Sequence, residues 1–168
     1  MNNFTEDKTD NDYLAIETYG SFHKNKSVWY NVKPQQLTIN HVKSLRNGLE
    51  TNSSISILSL QNTNLNKRSA RHLSELLQVN TKIKWLHLSH NEITDAGLQF
   101  ICSVMEVNNR TLAFLDLADN RLTDKSVDQI IEMILKNRQL VALILRDNYL
   151  SIEGQQRIVD VAAARKPR

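Results

Sequence analysis

The segment Ile83-Lys-Trp-Leu-His-Leu-Ser-His-Asn-Glu-Ile93 decides the fold of this chain of 168 residues. Its pattern, LxxLxLxxNxL, returns at residues 112–122 and 140–150, and a copy at 55–65 carries Thr63 in place of the asparagine. A degenerate copy precedes these four. The five copies begin near residues 27, 55, 83, 112 and 140, so the chain is an array of units of 28 or 29 residues.

Each unit has the pattern of one strand followed by one helix. Leu86 and Leu88 alternate with His87 and Ser89, which predicts a strand with one buried face. The apolar residues that follow recur at helical spacing, and a residue able to cap a helix precedes each run. These predicted caps are Thr38, Asn66, Thr94, Thr123 and Ser151. Asparagines near the helix ends are predicted to adopt the left-handed conformation that often ends a helix, namely Asn52, Asn80, Asn108 and Asn137.

These repeats resemble those of the ribonuclease-inhibitor type of leucine-rich repeat protein, over about residues 27–165. The resemblance implies an α/β fold, a right-handed leucine-rich-repeat solenoid of five strand–helix turns with a parallel inner sheet and outer helices. It also implies a ladder in which the ninth residue of each copy bonds loop backbone between turns. The members of this ladder are Asn91, Asn120 and Asn148. Gln35 and Thr63 depart from the pattern, so the first two turns are expected to be less regular.

Two parts of the chain are expected: a tail and cap over residues 1–26, and the leucine-rich-repeat domain over residues 27–168. The amphipathic segment 13–19 suits a cap over the apolar edge of the first turn. The chain does not start with a secretory signal, and it has no run of about 18 apolar residues, so we expect a cytoplasmic protein that does not enter a membrane. A lone Cys102 excludes an internal disulfide and is expected to be an inert thiol.

The strand positions that alternate with the buried leucines are expected to face the concave side of the sheet. The third position carries both tryptophans of the chain and one of its four phenylalanines, which predicts an apolar stripe that binds a partner. The alternative is that these rings pack against neighbouring strands or the N-terminal cap. The predicted anchors are Trp29, Trp85 and Phe114, with Ile57 between them, and the predicted orienting residues are Asn31, His87, Asp116 and Arg146.

Two histidines raise the question of catalysis or metal binding. Across neighbouring strands His87 is expected beside Asp116, and His90 beside Asp119, arrangements that can form a general base or a metal site. An open surface, the absence of a neighbouring nucleophile and the spacing of the two histidines argue against both. We therefore expect no catalytic residue, no cofactor and no metal.

The charge distribution argues against binding to nucleic acid. The net charge is +3, and the last four residues carry Arg165, Lys166 and Arg168. Since the predicted aromatic stripe lies on a face whose charges sum to zero, basic and aromatic residues are not interleaved as nucleic-acid binding requires. The pI near 9.0 therefore reflects a basic tail.

The expected function is that of a monomeric, non-enzymatic module that binds another protein on its concave face. Two finer hypotheses stay open. Richness in Asn, Lys and Ile is typical of AT-rich coding sequences, and among bacteria such repeats are similar to those of host-directed effectors, which act in the host cytoplasm. The number and type of repeats also resemble the domain of tropomodulin-like actin-capping proteins, although the N-terminal actin-binding segments of that family are not apparent.

Overall fold

Each repeat folds into a strand followed by a helix in the computed structural model, which describes residues 28–32 and 36–165, with residues 28 and 29 described by backbone alone. The strands are β1 (Val28–Asn31), β2 (Ile55–Ser59), β3 (Trp85–His87), β4 (Phe114–Asp116) and β5 (Ala142–Ile144). The helices are α1 (Ile39–Glu50), α2 (Lys67–Val79), α3 (Asp95–Val107), α4 (Val127–Lys136) and α5 (Ile152–Ala164). A 3₁₀ turn over Asp124–Ser126 leads into α4.

The strands pair in parallel and in chain order, β1-β2-β3-β4-β5, with one helix between each pair of strands. This arrangement confirms the predicted repeat solenoid. The central leucines are aligned across the sheet and are at most 1% exposed; they are Leu58, Leu86, Leu115 and Leu143. Side chains alternate along a strand, so the residues on either side of these leucines point to the opposite face of the sheet. We call this face, which lies away from the helices, the inner face.

The predicted asparagine ladder is present. The side-chain amide of Asn91 donates to the carbonyls of Leu60 and Leu88, at 2.9 Å each, and its oxygen accepts from the backbone N–H of Thr63 at 3.1 Å and Leu65 at 2.9 Å. The same pattern recurs in the next two turns, at Asn120 and Asn148. Each asparagine therefore joins its own loop to the loop of the preceding turn.

A second asparagine ladder lies at the opposite edge of the sheet, where each helix returns to a strand. The amide of Asn109 donates to the carbonyl of Leu77 at 2.8 Å, and its oxygen accepts from the N–H groups of Thr111 at 3.1 Å and Leu112 at 2.8 Å. Equivalent bonds are made by Asn80 and Asn137. These side chains are at most 4% exposed, so they supply partners for backbone groups that water cannot reach.

The predicted asparagines lie at the helix ends, but the predicted left-handed conformation is wrong. None of them has the left-handed conformation among the described residues; Asn80, for example, has φ −73° and ψ 126°. In the third turn the bonding residue is the buried Asn109, whereas Asn108 is the exposed C-cap of α3. The repeat that contains them has 29 residues, and the extra position displaces the ladder by one.

The left-handed positions lie instead in the loops that follow the strands. The eighth residue of the repeat has φ between 48° and 57°, at Asn62, His90, Asp119 and Asp147, and Asn64 in the second repeat has φ 59°. Asn, Asp and His are the non-glycine residues that best tolerate this region, which explains why a chain with four glycines can turn here.

Four of the five predicted helix caps accept a backbone hydrogen bond through their side chains, namely Thr38, Asn66, Thr123 and Ser151. Thr94 is the N-cap residue of α3, as predicted, but its side chain makes no such bond. Its neighbour Asp95 bonds the next turn instead, accepting from the N–H of Thr123 at 2.8 Å and from the hydroxyl of Thr123 at 2.7 Å.

The predicted tail and cap, residues 1–26, and the departures at 33–35, which include Gln35, lie outside the described residues. The boundary between a cap and a repeat domain therefore stays a prediction. Within the described part of the chain, no helix is long and apolar enough to cross a membrane.

Replacing Asn109 by alanine tests the second ladder. The change leaves one carbonyl and two N–H groups without their partner, and we expect it to lower the free energy of unfolding by about 3 kcal/mol. The adjacent variant Asn108→Ala, at an exposed helix end, is the matched control and should cost less than about 0.5 kcal/mol. Urea unfolding of both variants measures the difference, and equal losses would refute the assignment.

Candidate functional site

Two aromatic rings stack at the centre of the inner face. Strand pairing aligns Ile57, Trp85 and Phe114 side by side at the third position. The ring centroids of Trp85 and Phe114 are 4.7 Å apart and their planes are inclined by 21°. Because paired strands lie about 4.8 Å apart, the sheet itself sets this stacking distance. Both rings are half-buried, whereas Ile57 is 5% exposed and adds little open surface.

A third ring borders this pair. The imidazole of His87 lies 5.0 Å from the ring of Phe114 and 6.5 Å from that of Trp85, measured between centroids. Its Nδ1 is 3.8 Å from the Oδ2 of Asp116 on the neighbouring strand. The predicted neighbourhood of His87 and Asp116 is therefore present, with the histidine packed into the aromatic cluster.

Asp116 is a buried carboxylate, 5% exposed. Burial by itself would raise its pKa, but the adjacent His87 side chain and the backbone N–H of Ala118, 3.0 Å from Oδ1, together hold the pKa of Asp116 below its usual value. The charged form is thus the form that the fold stabilises. Asp116 orients the neighbouring groups and offers little surface to a partner.

The second histidine pair lies on the loop edge and is exposed. His90 Nδ1 is 2.6 Å from Asp119 Oδ2, as the alignment of the repeats predicted. Both residues have the left-handed backbone conformation, with which each loop begins. His90 therefore lies on the loop after Leu88, apart from His87 on β3. Within residues 28–32 and 36–165, no group of three or more His, Cys, Asp or Glu side chains is placed to hold a metal ion.

The remaining predicted residues lie at the two ends of the face. Asn31 is exposed on β1, and Arg146 forms an ion pair of 2.8 Å with Asp147 in the fifth turn. The backbone of Trp29 pairs with Ile57, but its side chain lies outside the described part, as does Lys33. The structure therefore brings together the central residues of the predicted site and leaves Asn31 and Arg146 at its margins.

Sequence reasoning missed an open cavity of about 790 Å³ along the loop edge. Its floor includes the ladder residue Asn91, and two ion pairs line it, His90 with Asp119 and Arg121 with Glu92. The left-handed eighth position was the signal that could have located it, since that conformation lifts the loop away from the strand.

Cys102 lies buried in α3, as expected. Desolvation, together with the nearby charge of Glu106, raises the pKa of its thiol well above its usual range. The thiolate required for reactivity is therefore disfavoured.

Comparisons with known proteins place these features in a family. A family model described as Leucine Rich repeat matches residues 79–102 and 108–130. NACHT, LRR and PYD domains-containing protein 14 of Mus musculus is 32% identical over 132 residues, which cover 77% of this chain and 13% of that protein. Ribonuclease inhibitor of Sus scrofa is 27% identical over 106 residues, covering 63% of this chain and 23% of the inhibitor. The chain thus spans less than a quarter of the length of these two relatives.

Two solved structures share the fold. One is described as leiomodin-1 actin-binding site 2, with a TM-score of 0.68 and 21% identity, covering 83% of this chain and 80% of that one. The other is the tropomodulin C-terminal domain of Caenorhabditis elegans, with a TM-score of 0.67 and 17% identity, covering 83% of this chain and 84% of that one.

The fold and its comparisons define a repeat protein built from parallel strand–helix units. The chain is a leucine-rich repeat protein of the ribonuclease-inhibitor type. The relatives named above give no support to the hypothesis of a bacterial effector.

The buried carboxylate generates a pH-dependence prediction. Because the pKa of Asp116 is lower in the folded state than the value of about 3.9 in unfolded chains, its contribution to stability is present above that value and is lost as the pH falls through the folded pKa. Asp116→Asn should therefore be less stable than the wild type at pH 7, and the difference should shrink below about pH 4. Urea unfolding across this range measures it, and a carboxyl titration midpoint at or above 4 by NMR would contradict the prediction.

Proposed function

We propose that this protein holds a partner protein against the inner, concave face of its sheet, with Trp85 and Phe114 as the apolar anchors. The observation that carries the proposal is the stacked pair of half-buried rings on that face, 4.7 Å apart. Aromatic side chains dominate the energetics of protein interfaces, and rings already held by their neighbours lose little conformational entropy when a partner binds.

The residues around the rings are better placed to orient the partner than to add contact area. Asp116 is buried beside His87, and Arg146 remains half-exposed in the fifth turn, where it can meet a polar group of the partner. Trp29 and Asn31 extend the proposed surface toward the first turn, because β1 pairs in register with β2. The binding face proposed here includes these two residues, together with Ile57, which is the strand neighbour of Trp85.

The size of the fold limits the expected affinity. Five parallel strands at about 4.8 Å spacing form a sheet that is roughly 20 Å wide, too narrow to surround a globular partner. An interface on this face falls near the lower end of the standard size, which is typical of reversible complexes.

Actin is the partner that the structural neighbours favour. The leiomodin-1 structure is described as an actin-binding site, and it covers most of this chain at a TM-score of 0.68. At 21% sequence identity, the similarity between the two structures is a similarity of fold. Actin is therefore proposed as a partner on the strength of shared architecture.

A double variant tests both parts of the proposal. Trp85→Ala/Phe114→Ala removes the stacked rings, and we expect it to weaken the binding of labelled monomeric actin at least about tenfold. The control is Tyr149→Ala, which removes an aromatic ring that is 71% exposed on the loop edge. It should leave the dissociation constant within about twofold, as read by fluorescence anisotropy.

The outcomes test the identity of the partner and the location of the binding surface separately. If the wild type does not bind actin, actin is rejected, and affinity capture from cell extract then compares the same variants. Proteins retained by the wild type and by Tyr149→Ala, but lost from the double variant, support the concave face. Proteins retained equally by all three would contradict it.

A further inference from the structure

The open cavity of about 790 Å³ along the loop edge is a groove that crosses neighbouring turns, and we call it the loop groove. One wall is the eighth position of the repeat, whose members in the groove are Asn62, His90 and Asp119. The other wall is the tenth position, whose members are Asn64, Glu92, Arg121 and Tyr149. The floor between them is the ninth position, which carries the asparagine ladder.

Backbone hydrogen bonds align each wall from turn to turn. On the first wall, the N–H of His90 donates to the carbonyl of Ala118 in the next turn at 3.0 Å. On the second wall, the N–H of Arg121 donates to the carbonyl of Ile93 in the preceding turn at 2.9 Å. Equivalent bonds are made at Asn62 and Asp119 on the first wall, and at Glu92 and Tyr149 on the second. Neighbouring members of a wall are therefore about one strand spacing apart, or about 4.8 Å.

The charged side chains of the groove are paired along its walls. His90 Nδ1 lies 2.6 Å from Asp119 Oδ2 on the first wall. On the second, Arg121 Nη2 lies 2.8 Å from Glu92 Oε1. Each pair joins two turns, and among the described lining residues every basic side chain has a carboxylate partner. Positive charge in the groove is thus neutralised, which disfavours a phosphate or another anionic ligand.

These pairs still leave hydrogen-bonding capacity for a ligand. A guanidinium has several N–H donors and a carboxylate has several acceptor sites, and the bond between Arg121 and Glu92 uses one of each. Within the described part of the chain, the side-chain amides of Asn62 and Asn64 bond no other residue. The walls therefore offer donors and acceptors side by side, and hydroxyl groups, which both donate and accept, are the matching chemistry.

An aromatic ring lies at the fifth-turn end of the groove. Tyr149 is 71% exposed there, and its backbone N–H is bonded to the carbonyl of Leu122 at 2.8 Å. A tyrosine ring combines an apolar face with a polar hydroxyl, and such a face stacks on the C–H groups of a sugar ring. The floor amides of Asn91 and Asn120 are already bonded to loop carbonyls, so recognition falls to the walls and the ring.

An extended peptide matches this groove less well than a sugar chain does. The N–H groups of both walls are already bonded to neighbouring turns, so they do not pair with an added strand. The described lining residues include no aliphatic side chain that could form a pocket for an apolar peptide anchor. What the groove offers is a set of polar side chains and one ring face.

We infer that the loop groove is a second binding site, separate from the concave face, for a neutral oligosaccharide of β-1,4-linked hexose units. A hexose unit in such an extended chain is about as long as one strand spacing, so successive sugars meet the walls of successive turns. The groove crosses the second to fifth turns, over roughly 14 Å, which suits about three or four units. Tyr149 stacks on a sugar ring at one end, and the Arg121–Glu92 pair bonds the hydroxyl groups of the next units.

Tetrasaccharides provide the probes. We expect the full chain to bind at least one of the β-1,4-linked tetrasaccharides of glucose, mannose or N-acetylglucosamine, with a dissociation constant of about 1 mM or lower. The α-1,4-linked tetrasaccharide of glucose is curved and does not follow a straight groove, so it should bind at least about fivefold more weakly. Isothermal titration calorimetry measures both.

Variants assign the binding to the groove. Tyr149→Ala and Arg121→Ala should each weaken binding at least about fivefold, whereas Tyr149→Phe keeps the ring and should stay within about twofold of the wild type. The matched control is Arg157→Ala, which also breaks an ion pair of a half-exposed arginine, but on α5 and outside the groove. Circular dichroism verifies that all variants fold. Trp85→Ala/Phe114→Ala should bind the saccharide as well as the wild type does, which keeps this test independent of the concave face.

Four results would overturn the inference. The first is no binding of any tetrasaccharide at roughly 10 mM. The second is binding that Tyr149→Ala leaves intact, or that Arg121→Ala and Arg157→Ala weaken equally. The third is tighter binding of a sulfated tetrasaccharide that weakens as salt increases, which would assign the groove to an anion. The fourth is binding of a peptide of serine and asparagine that Tyr149→Ala abolishes while saccharides do not bind, which would assign the groove to a peptide.

Discussion

The hydrogen bonds of buried asparagine side chains are the interaction on which this structure depends. A solenoid turn must leave its strand, form a helix and return, and at each corner backbone groups are buried without a strand or helix partner. Asn91 meets this need between the second and third turns by donating to two carbonyls and accepting from two N–H groups. Asn109 meets it at the opposite edge by donating to one carbonyl and accepting from two N–H groups. The two ladders thus fix the register of neighbouring turns at both edges of the sheet.

This alignment creates the candidate binding face. Because the ladders fix the register of neighbouring turns, residues at one position of the repeat are placed one strand spacing apart, and Trp85 stacks on Phe114 at 4.7 Å. The inner face of this protein is therefore built from rows of equivalent residues, and its chemistry is decided by a few positions repeated through the turns.

Much of the fold was predictable from the sequence because each position of the repeat occurs several times along the chain. The alternation around Leu86 and the pairing of His87 with Asp116 follow from that alignment. The second ladder was not predicted: the sequence indicated only that Asn108 lies near a helix end, and burial decides that its neighbour Asn109 forms the bonds. Nor could the sequence show that Ile57 is nearly buried, because the exposure of a residue on a sheet depends on how the neighbouring side chains pack.

Native-state hydrogen exchange tests the role of the ladder most directly. The loop amides of Leu65, Ile93 and Leu122 donate to the side-chain oxygens of the following turn's asparagines. Although they lie outside regular strands, they should exchange as slowly as the core amides, and Asn120→Ala should accelerate exchange at Ile93 more than at Leu65. Fast exchange of all three in the wild type, at the rate of open loops, would show that the asparagines do not hold the turns together.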